Sequence, residues 1–163
     1  MRRKKQEKFE RIYSQYKDNV LKISYMYLKD YQLAEDATQE TFCRVLSKIG
    51  TLKDETKDKA WVSKIAVNVC RDILKHKSRR EIPAVDITLK ENSNPDIDSK
   101  LSVTEAIRTL PQELRECVIL FYYQGFTHRE IAEILNVPDT TVAYRLRKGK
   151  EQLRNLLEED FDD

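Results

Sequence analysis

The chain has 163 residues, of which 36% are charged and only three are glycine and four proline, a composition that favours helices over sheets. Its longest apolar stretch, residues 117–123, is far shorter than the roughly 20 residues that cross a bilayer, so we expect no membrane span. Charged residues follow Met1 where a secretory signal would be apolar, so we expect no signal peptide. The net charge of +2 conceals an asymmetry, because residues 1–80 carry 20 basic and 11 acidic side chains and the remainder carries 10 and 17; this favours an anionic partner for the first half.

The first half of the chain has the pattern of three amphipathic helices. Apolar residues recur at steps of three and four over residues 9–27, which predicts a helix with one buried face. Asp30 can cap a second helix, which Gly50 ends. Residues 51–59 are polar and are predicted to form an exposed loop. A third helix follows, with an apolar stripe over residues 61–74, and it continues into residues 77–80. Three such helices can bury one shared core.

The second half begins with a polar segment and continues with shorter helices. Residues 81–99 are rich in acids and interrupted by prolines, so they have little to bury. We therefore predict an all-α fold, in which two small helical domains, 1–80 and 100–163, are joined by a flexible acidic linker. Pro111 suits the first turn of a helix that ends near Gly125.

The strongest local signal follows in the second domain. Thr127 and Glu130 have the spacing of a capping box, and Asn136, which tolerates a left-handed backbone, stands in a tight turn. A helix with an inward-facing Val142 comes next. This is the layout of a helix-turn-helix, whose second helix lies in the major groove of DNA. A local charge of +3 over residues 139–150 favours DNA binding over the alternative, the solvated face of an ordinary helix.

A second basic surface is predicted on the third helix. Residues 64–80 carry six Lys and Arg side chains against one acid, Asp72. Such a face can follow a phosphate backbone, while Asn68 and His76 can bond to base edges; a solvated basic helix end is the alternative. Trp61 could stack on an unpaired base, but its position on the apolar stripe favours a core role.

Several motifs occur in the order found in bacterial sigma factors. Residues 33–42, Leu-Ala-Glu-Asp-Ala-Thr-Gln-Glu-Thr-Phe, resemble the Ala-x-Asp-x-x-Gln-Glu-Thr-Phe signature of region 2. Residues 61–72 resemble its Trp-x-x-x-Ile-Ala-x-Asn-x-x-x-Asp segment, and residues 110–115 and 130–135 resemble region 4. A region 2, an acidic linker and a region 4 together resemble the minimal extracytoplasmic-function (ECF) sigma factors.

The resemblance implies a transcription-initiation subunit that binds core RNA polymerase, recognises −10 and −35 promoter elements and promotes melting. Docking on the clamp helices of the polymerase β′ subunit would use Asp36, Gln39, Glu40 and Phe42. The −10 element would be read and opened by Asn68, Arg71, Asp72, Lys75, His76, Arg79 and Arg80. The −35 element would be read by Thr140, Thr141, Ala143, Tyr144, Arg145, Arg147 and Lys148.

The resemblance also implies further partners and a mechanism. The loop over residues 51–59 corresponds to one that captures a flipped base, and this capture offsets the cost of opening the duplex, so melting needs no ATP. The acidic linker would thread into the RNA exit channel, and the β flap would be a further contact on the polymerase. An anti-sigma factor would mask both domains. We expect a cytoplasmic location, where an anti-sigma factor could hold the chain at the membrane.

Several positions depart from the family pattern. Asn136 stands where glycine is frequent, a change that the turn tolerates, and Phe121 stands where many relatives have arginine. Ala143 and Tyr144 replace the more usual lysine and serine, so base preference does not carry over. Gly149 within the last helix costs about 1 kcal/mol relative to alanine, and nothing in the sequence explains it.

Two other functions fit parts of the sequence. An autonomous helix-turn-helix repressor or activator would use residues 1–80 for dimerisation or sensing, and it would bind duplex operator DNA without polymerase. A helical metalloenzyme would need ligand clusters, yet neither His76 nor His128 belongs to one. The three cysteines are too widely spaced for a disulfide framework or a zinc site and fit a reducing compartment. We therefore predict no catalytic residue, no metal and no cofactor, and do not expect an enzyme.

Overall fold

The computed structural model describes residues 2–79 and 102–161, and it is helical in both segments. The first segment contains α1 (Arg2–Leu28), α2 (Tyr31–Lys48) and α3 (Asp58–Arg79). The second contains α4 (Val103–Thr109), α5 (Gln112–Val118), α6 (His128–Leu135) and α7 (Asp139–Phe161). The predicted all-α class with two small helical units is confirmed, while the predicted linker over 81–99 lies outside the described residues.

The first unit is a bundle of α1, α2 and α3, as its apolar spacing predicts. Ile12 of α1, Val45 of α2 and Val62 of α3 are almost fully buried in a common core. Asp30 caps α2, because its carboxylate accepts a hydrogen bond from the Leu33 amide at 3.0 Å. The bundle thus presents the outer sides of α2 and α3 to solvent.

Helix α1 begins at Arg2, earlier than the apolar spacing alone predicts. Pairs one turn apart support its exposed first turns: Arg3 lies 3.7 Å from Glu7, and Gln6 donates to Glu10 at 3.4 Å. Such pairs stabilise a helix by about 0.2–0.5 kcal/mol each. Apolar periodicity marks the part of a helix that meets the core, so it misses an exposed extension of this kind.

The connection between α2 and α3 differs from the exposed loop predicted over residues 51–59. Two short 3₁₀ turns, Ile49–Thr51 and Glu55–Lys57, fill most of it. Leu52 between them is buried, and α3 begins at Asp58. The segment is therefore held to the bundle, with its exposed polar residues on short turns.

Asp58 anchors the start of α3 to α1. Its carboxylate is buried and accepts hydrogen bonds from the Tyr16 hydroxyl at 2.7 Å and from Nη1 of Arg11 at 3.0 Å. Burial, together with the bond to Asp58, raises the pKa of Tyr16 to about 12. The sequence presents Asp58 as a polar loop residue, whereas the fold uses it as a buried tie between two helices.

The second unit contains the helix-turn-helix that the sequence predicts. The Thr127 hydroxyl accepts from the Glu130 amide at 3.1 Å, and the Glu130 carboxylate accepts from the Thr127 amide at 3.0 Å, so both halves of the capping box form. Asn136 ends α6 in the left-handed conformation, with φ 57° and ψ 51°. Val142 and Leu146 of α7 are buried against α5 and α6. This leaves the opposite side of α7 exposed.

The helix predicted from Pro111 to near Gly125 forms in two parts. Pro111 precedes α5, and after Val118 the backbone widens into a π-helical turn, Ile119–Tyr123. Gly125 follows with φ 73°, a conformation that glycine adopts at little cost. The helix ends where the sequence predicts, although the spacing does not reveal the wider turn.

Gly149 lets α7 approach α5 closely. The residue is buried, and a Cβ at this position would lie 2.8 Å from Cγ2 of Val118. A side chain of any size would therefore push the two helices apart. The glycine that nothing in the sequence explains has a packing role.

The two units pack against each other in a closed arrangement. Helix α3 contacts α6, helix α1 contacts α4 and α5, and the buried apolar residues of both units form one cluster. Nζ of Lys59 donates to the Gln124 carbonyl at 2.5 Å, and Nη2 of Arg108 donates to the Lys29 carbonyl at 2.8 Å. Among the described residues, no helix combines the length and apolarity that a membrane span requires.

Candidate nucleic-acid and protein interfaces

The exposed side of α7 carries most of the residues predicted to read the −35 element. The predicted residues with exposed side chains are Thr140, Ala143, Tyr144 and Arg147, and those partly buried are Thr141 and Lys148. The Arg147 guanidinium lies 5.5 Å from the centre of the Tyr144 ring, an arrangement that stabilises a cation over an aromatic face. This side of α7 offers hydroxyls, an aromatic ring and positive charge to a ligand.

Arg145 lies apart from this surface. Its side chain is only 18% exposed, and its guanidinium lies 3.9 Å from Glu113 and 4.0 Å from Glu116 of α5. The helical spacing explains this, because residue 145 is three positions after Val142 and four before Gly149, both of which are buried. The resemblance assigns Arg145 to DNA reading, which stays a prediction, and the periodicity of its own helix indicates the partly inward orientation.

The predicted −10 surface lies along the outer side of α3. The predicted residues with exposed side chains are Asn68, Asp72, Lys75 and His76. Arg71 is partly buried, Arg79 is the last residue of α3, and Arg80 lies outside the described residues. Gln112 of α5 borders a cavity of about 650 Å³ together with Asn68, Arg71 and Lys75. The second unit therefore reaches the edge of this surface.

Arg71 makes an ion pair with the second unit. Its Nη2 donates to Glu116 Oε1 at 2.7 Å and its Nε donates to Glu116 Oε2 at 3.2 Å. This carboxylate raises the pKa of Arg71 well above its ordinary value. Burial, and then the neighbouring Glu116, likewise raise the pKa of Tyr27, whose hydroxyl donates to the same carboxylate. The sequence gives no sign of this pairing, since the two partners are far apart in the chain.

Arg44 is a residue that the sequence reasoning missed. Its Nε donates to Glu40 at 3.1 Å, and its Nη2 donates to Asp72 at 3.2 Å. Arg44 thus joins a residue predicted to dock on the polymerase with one predicted to read the −10 element. The spacing of Glu40 and Arg44, one helical turn, could have indicated the first bond, but only the fold brings α3 to the second.

Three of the four residues predicted to dock on the polymerase, Asp36, Gln39 and Phe42, border a groove between α1 and α2, whereas Glu40 borders a neighbouring cavity with Asp72 and His76. Asp36, Gln39 and Glu40 are exposed, whereas Phe42 is only 4% exposed and belongs to the core beneath them. The groove encloses about 570 Å³. Its apolar wall is formed by Phe9, Tyr13, Leu21, Phe42 and Leu46. A groove with an apolar wall and a polar rim suits a helix of another protein.

The apolar wall is aromatic and partly exposed. The Tyr13 and Phe42 rings meet edge to face with centres 5.0 Å apart, and Phe9 and Phe42 meet likewise at 6.5 Å. Tyr13 is 43% and Leu46 52% exposed. Phe42 therefore supports this wall from within the core, and its contact with a partner stays a prediction.

The turns before α3 face the second unit across a small cavity. Trp61 borders a cavity of about 260 Å³ with residues of these turns and with Glu130, Glu133 and Ile134 of α6. Its ring is partly buried and packs against the core, in agreement with the core role that its spacing favours. One edge of Trp61 therefore lies at the boundary between the two units.

The cysteines differ in their surroundings. Cys43 is exposed on the groove between α1 and α2, whereas Cys70 and Cys117 are buried. Burial raises the pKa of Cys70 to about 12 and that of Cys117 to about 11. Within the described part of the chain, no group of three His, Cys, Asp or Glu side chains could hold a metal ion.

Comparison with family models yields two matches in the order that the motifs predict. Residues 12–80 match sigma-70 region 2, and residues 100–153 match sigma-70 region 4. The first match includes α3 and, apart from Phe9, the groove between α1 and α2, and the second includes α4 to the middle of α7. The candidate surfaces on α2, α3 and α7 therefore lie within matched segments.

Individual relatives agree with these matches. The chain is 30% identical over 158 residues to the ECF RNA polymerase sigma factor SigE of Mycolicibacterium smegmatis, covering 91% of this chain and 61% of SigE. It is 29% identical over 168 residues to the ECF sigma factor SigW of Bacillus subtilis, covering 93% of this chain and 90% of SigW. The chain thus spans about three fifths of one relative and most of the other.

A solved structure shares the fold. The sigma factor RpoE of Bartonella quintana, in complex with the anti-sigma factor NepR, is similar with a TM-score of 0.75 and 17% sequence identity. The similarity covers 93% of this chain and 97% of that one. The helical architecture described above is therefore one that a sigma factor adopts.

Proposed function

The chain belongs to the ECF-type RNA polymerase sigma factors, which direct RNA polymerase to promoters, and we propose that it brings core polymerase to promoters with −10 and −35 elements and promotes their melting. The observation that carries this proposal is the presence, on one chain, of an exposed recognition helix and a separate bundle with a second polar, basic face. Sigma factors are not enzymes, so the chain contributes binding energy rather than a chemical step.

The groove between α1 and α2 is the proposed polymerase contact. Exposed carboxylate and amide groups of Asp36, Gln39 and Glu40 can bond to a partner helix, while Tyr13 and Leu46 offer apolar area that gains from being covered. The clamp helices of β′ are the occupant that the family implies. The rigid aromatic wall costs little entropy to order on binding.

Helix α3 is the proposed reader of the −10 element. Asn68 and His76 can bond to bases, and Lys75 can bond to phosphate. The turns before α3 are the proposed site for an unstacked base, and this is supported by their polar side chains, which border the cavity next to Trp61. Each captured base offsets a few kcal/mol of unstacking, so polymerase binding and base capture together drive melting.

Helix α7 is the proposed reader of the −35 element. Its exposed residues include a hydroxyl, an aromatic ring and Arg147, and the capped α6 fixes the angle at which α7 meets the groove. Base preference rests on Thr140, Ala143 and Tyr144, whose side chains are short or aromatic. Such side chains favour contacts with thymine methyl groups and phosphates over bidentate reading of guanine.

An anti-sigma factor is a proposed further partner. The complex of RpoE with NepR supports this, because the fold is shared. Exposed apolar residues on both units, among them Tyr31, Val103 and Tyr122, could be covered by such a partner. The acidic segment before α4 would enter the RNA exit channel near the β flap, and the chain would act in the cytoplasm.

Run-off transcription with purified core polymerase on a library of genomic promoters tests the proposed function. We expect discrete transcripts that require the chain, and aligned start sites that share two upstream elements. Core polymerase alone is the control. Binding of duplex operators without polymerase, with no transcript in its presence, would instead identify an autonomous helix-turn-helix regulator.

A further inference from the structure

The carboxylate of Glu116 lies at the boundary between the two units and is almost completely enclosed. Its side chain is 3% exposed. Arg71 of α3 donates to both of its oxygens, at 2.7 and 3.2 Å, and the Tyr27 hydroxyl of α1 donates to one of them. On the other side, Nη1 of Arg145 lies 4.0 Å away. One carboxylate thus contacts an arginine from the −10 helix and an arginine from the −35 helix.

The geometry of the Arg71 pair is that of an arginine bound to an anion. Guanidinium groups bind carboxylates and phosphates through the same two parallel N–H bonds. While Glu116 holds Nε and Nη2 of Arg71, this edge of the guanidinium cannot bind a DNA phosphate. Glu116 therefore occupies Arg71 in the way that the DNA backbone would.

We propose that Glu116 is an internal competitor of DNA, which holds the free chain closed and withholds the −10 surface until the units separate. The inference rests on the proposed function, because it assigns DNA binding to α3. Acidic side chains of the second unit thereby cover part of the basic face of α3. The device needs no partner protein.

A second group of acids faces the first unit at the other end of α3. Glu130 and Glu133 of α6 border the same cavity as Lys53, Lys57 and Lys64. These lysines belong to the turns and helix proposed to receive the opened strand. The acids of α5 and α6 thus both face proposed DNA contacts, which extends charge complementarity along the boundary.

Incomplete hydrogen bonding at the boundary lowers the cost of opening it. Among the described residues, Nε of Arg108, Nε of Arg115 and Oε1 of Gln124 are buried with no hydrogen-bond partner. Arg108 and Gln124 contact the first unit directly. The Cζ atom of Arg115 lies over the Tyr27 ring, 5.7 Å from its centre. Buried polar atoms without partners are costly, and opening returns them to water. Polymerase or DNA bound to the first unit can therefore overcome the closure.

The first test replaces Glu116 by glutamine and follows Trp61. Trp61 is the single tryptophan of the chain and borders α6, so its fluorescence reports whether the units are in contact. We expect Glu116→Gln to shift the emission of Trp61 to longer wavelengths and to increase its quenching by acrylamide. Glu113→Gln is the matched control, because it makes the same charge change on the same helix, 3.9 Å from Arg145, at an exposed site.

The second test measures binding of a short duplex of arbitrary sequence to the full chain at several salt concentrations. Freeing Arg71 adds a phosphate contact, so Glu116→Gln should bind more tightly and steepen the log–log salt dependence by about 0.9 per contact. The gain should disappear in the double variant Glu116→Gln/Arg71→Ala. If Glu116→Gln and Glu113→Gln behave alike in both tests, the inference is wrong.

A variant remote from both DNA surfaces covers the case in which Glu116→Gln loses its helical circular dichroism. Arg108→Met removes the bond to the Lys29 carbonyl while keeping an apolar side chain over Tyr25. Arg108→Met should expose Trp61 and strengthen duplex binding. If both the Trp61 fluorescence and the duplex affinity stay unchanged, the inference is overturned. Neither test contains polymerase. A chain that opens and binds as expected but supports no run-off transcript would therefore disprove the proposed function alone.

Discussion

At the scale of the residue, Gly149 sets how closely α7 packs against α5. Alanine there gains about 1 kcal/mol of helix propensity, but its Cβ would lie 2.8 Å from Val118, and overpacking costs about 1–3 kcal/mol. We therefore expect Gly149→Ala to lower the free energy of unfolding by about 1 kcal/mol, measured by urea denaturation.

Two further variants distinguish packing from propensity at Gly149. Gly50→Ala is the matched control, since its Cβ would meet only the end of the Lys5 side chain at 3.5 Å, so a small effect is expected. Val118→Ala makes room for the new methyl group and should reduce the penalty of Gly149→Ala in the double variant. If the two substitutions simply add, the close approach is not the cause.

The three thiols should react at very different rates. The thiolate is the reactive form, and at pH 8 burial keeps Cys70 and Cys117 protonated, because their pKa values are raised to about 12 and about 11. Cys43 is exposed. Maleimide treatment of the native chain, followed by mass spectrometry, should label Cys43 first and the other two only in denaturant. Rapid labelling of all three would contradict the buried positions.

Residues whose roles are local could be predicted from the sequence, and residues whose roles depend on distant partners could not. Thr127, Glu130 and Asn136 interact with residues close to them in the sequence, so the helix cap and the turn can be predicted from the sequence alone. The pairing of Arg44 with Asp72 requires α2 and α3 to be placed first. The contacts of Arg145 with Glu113 and Glu116 of α5 likewise depend on the placement of two helices, and its role in DNA reading stays a prediction.

At the scale of the element, α7 divides its arginines between two tasks. Arg147 is exposed, whereas Arg145 pairs with acids of α5. With core polymerase and a promoter fragment, Arg147→Ala should weaken binding and reduce the salt slope by about 0.9, as expected for one lost phosphate contact. Arg145→Ala should instead lower the melting temperature with little change in slope. An unaltered slope in Arg147→Ala would exclude that side of α7 as the reader.

Helix α2 should bind the polymerase through its exposed side. Replacing Asp36 and Gln39 by alanine removes two exposed polar groups on the rim of the groove and no buried one, so the fold should persist. We expect reduced capture by core polymerase in a pull-down, with unchanged circular dichroism. Ser47→Ala, on an exposed part of the same helix, is the control. Equal capture by all three proteins would disprove the docking assignment.

The helices could be predicted from the sequence because each buries one apolar face. The residues at which they begin and end were harder to predict. Asp30 and the Thr127 capping box mark two helix starts correctly. The start of α1 and the turns around Leu52 escape prediction, because exposed charge pairs and a single buried leucine leave no periodic pattern. The docking role of Asp36, Gln39 and Glu40 is predicted only through family resemblance, since these residues otherwise resemble any solvated helix face.

At the scale of the whole molecule, the buried residues of both units form one cluster. Units that share a core lose stability together, so the full chain should melt in a single calorimetric transition whose calorimetric and van't Hoff enthalpies agree. Glu116→Gln should separate this into two overlapping transitions, as each unit then unfolds by itself. Two transitions in the unaltered chain would show that the shared cluster contributes little.

The placement of the two units was beyond prediction from the sequence. It depends on pairs such as Arg71 with Glu116 and Lys59 with the Gln124 carbonyl, which join residues from opposite halves of the chain. No local pattern encodes such a pair, because each member has an ordinary alternative in water. The asymmetry of charge between the halves favoured an anionic partner for the first half and did not predict packing between the units.

The side chains at a boundary that opens are buried in the closed chain and exposed to water in the open chain. These side chains suit both surroundings by carrying an apolar body and a polar tip: Tyr25, Tyr27, Lys59, Trp61 and Arg108 all do so. Amphipathic side chains of this kind lose little in either surrounding. Purely aliphatic replacements there would fuse the units permanently, and small polar ones would keep them apart, so the choice of residue types itself preserves the ability to alternate.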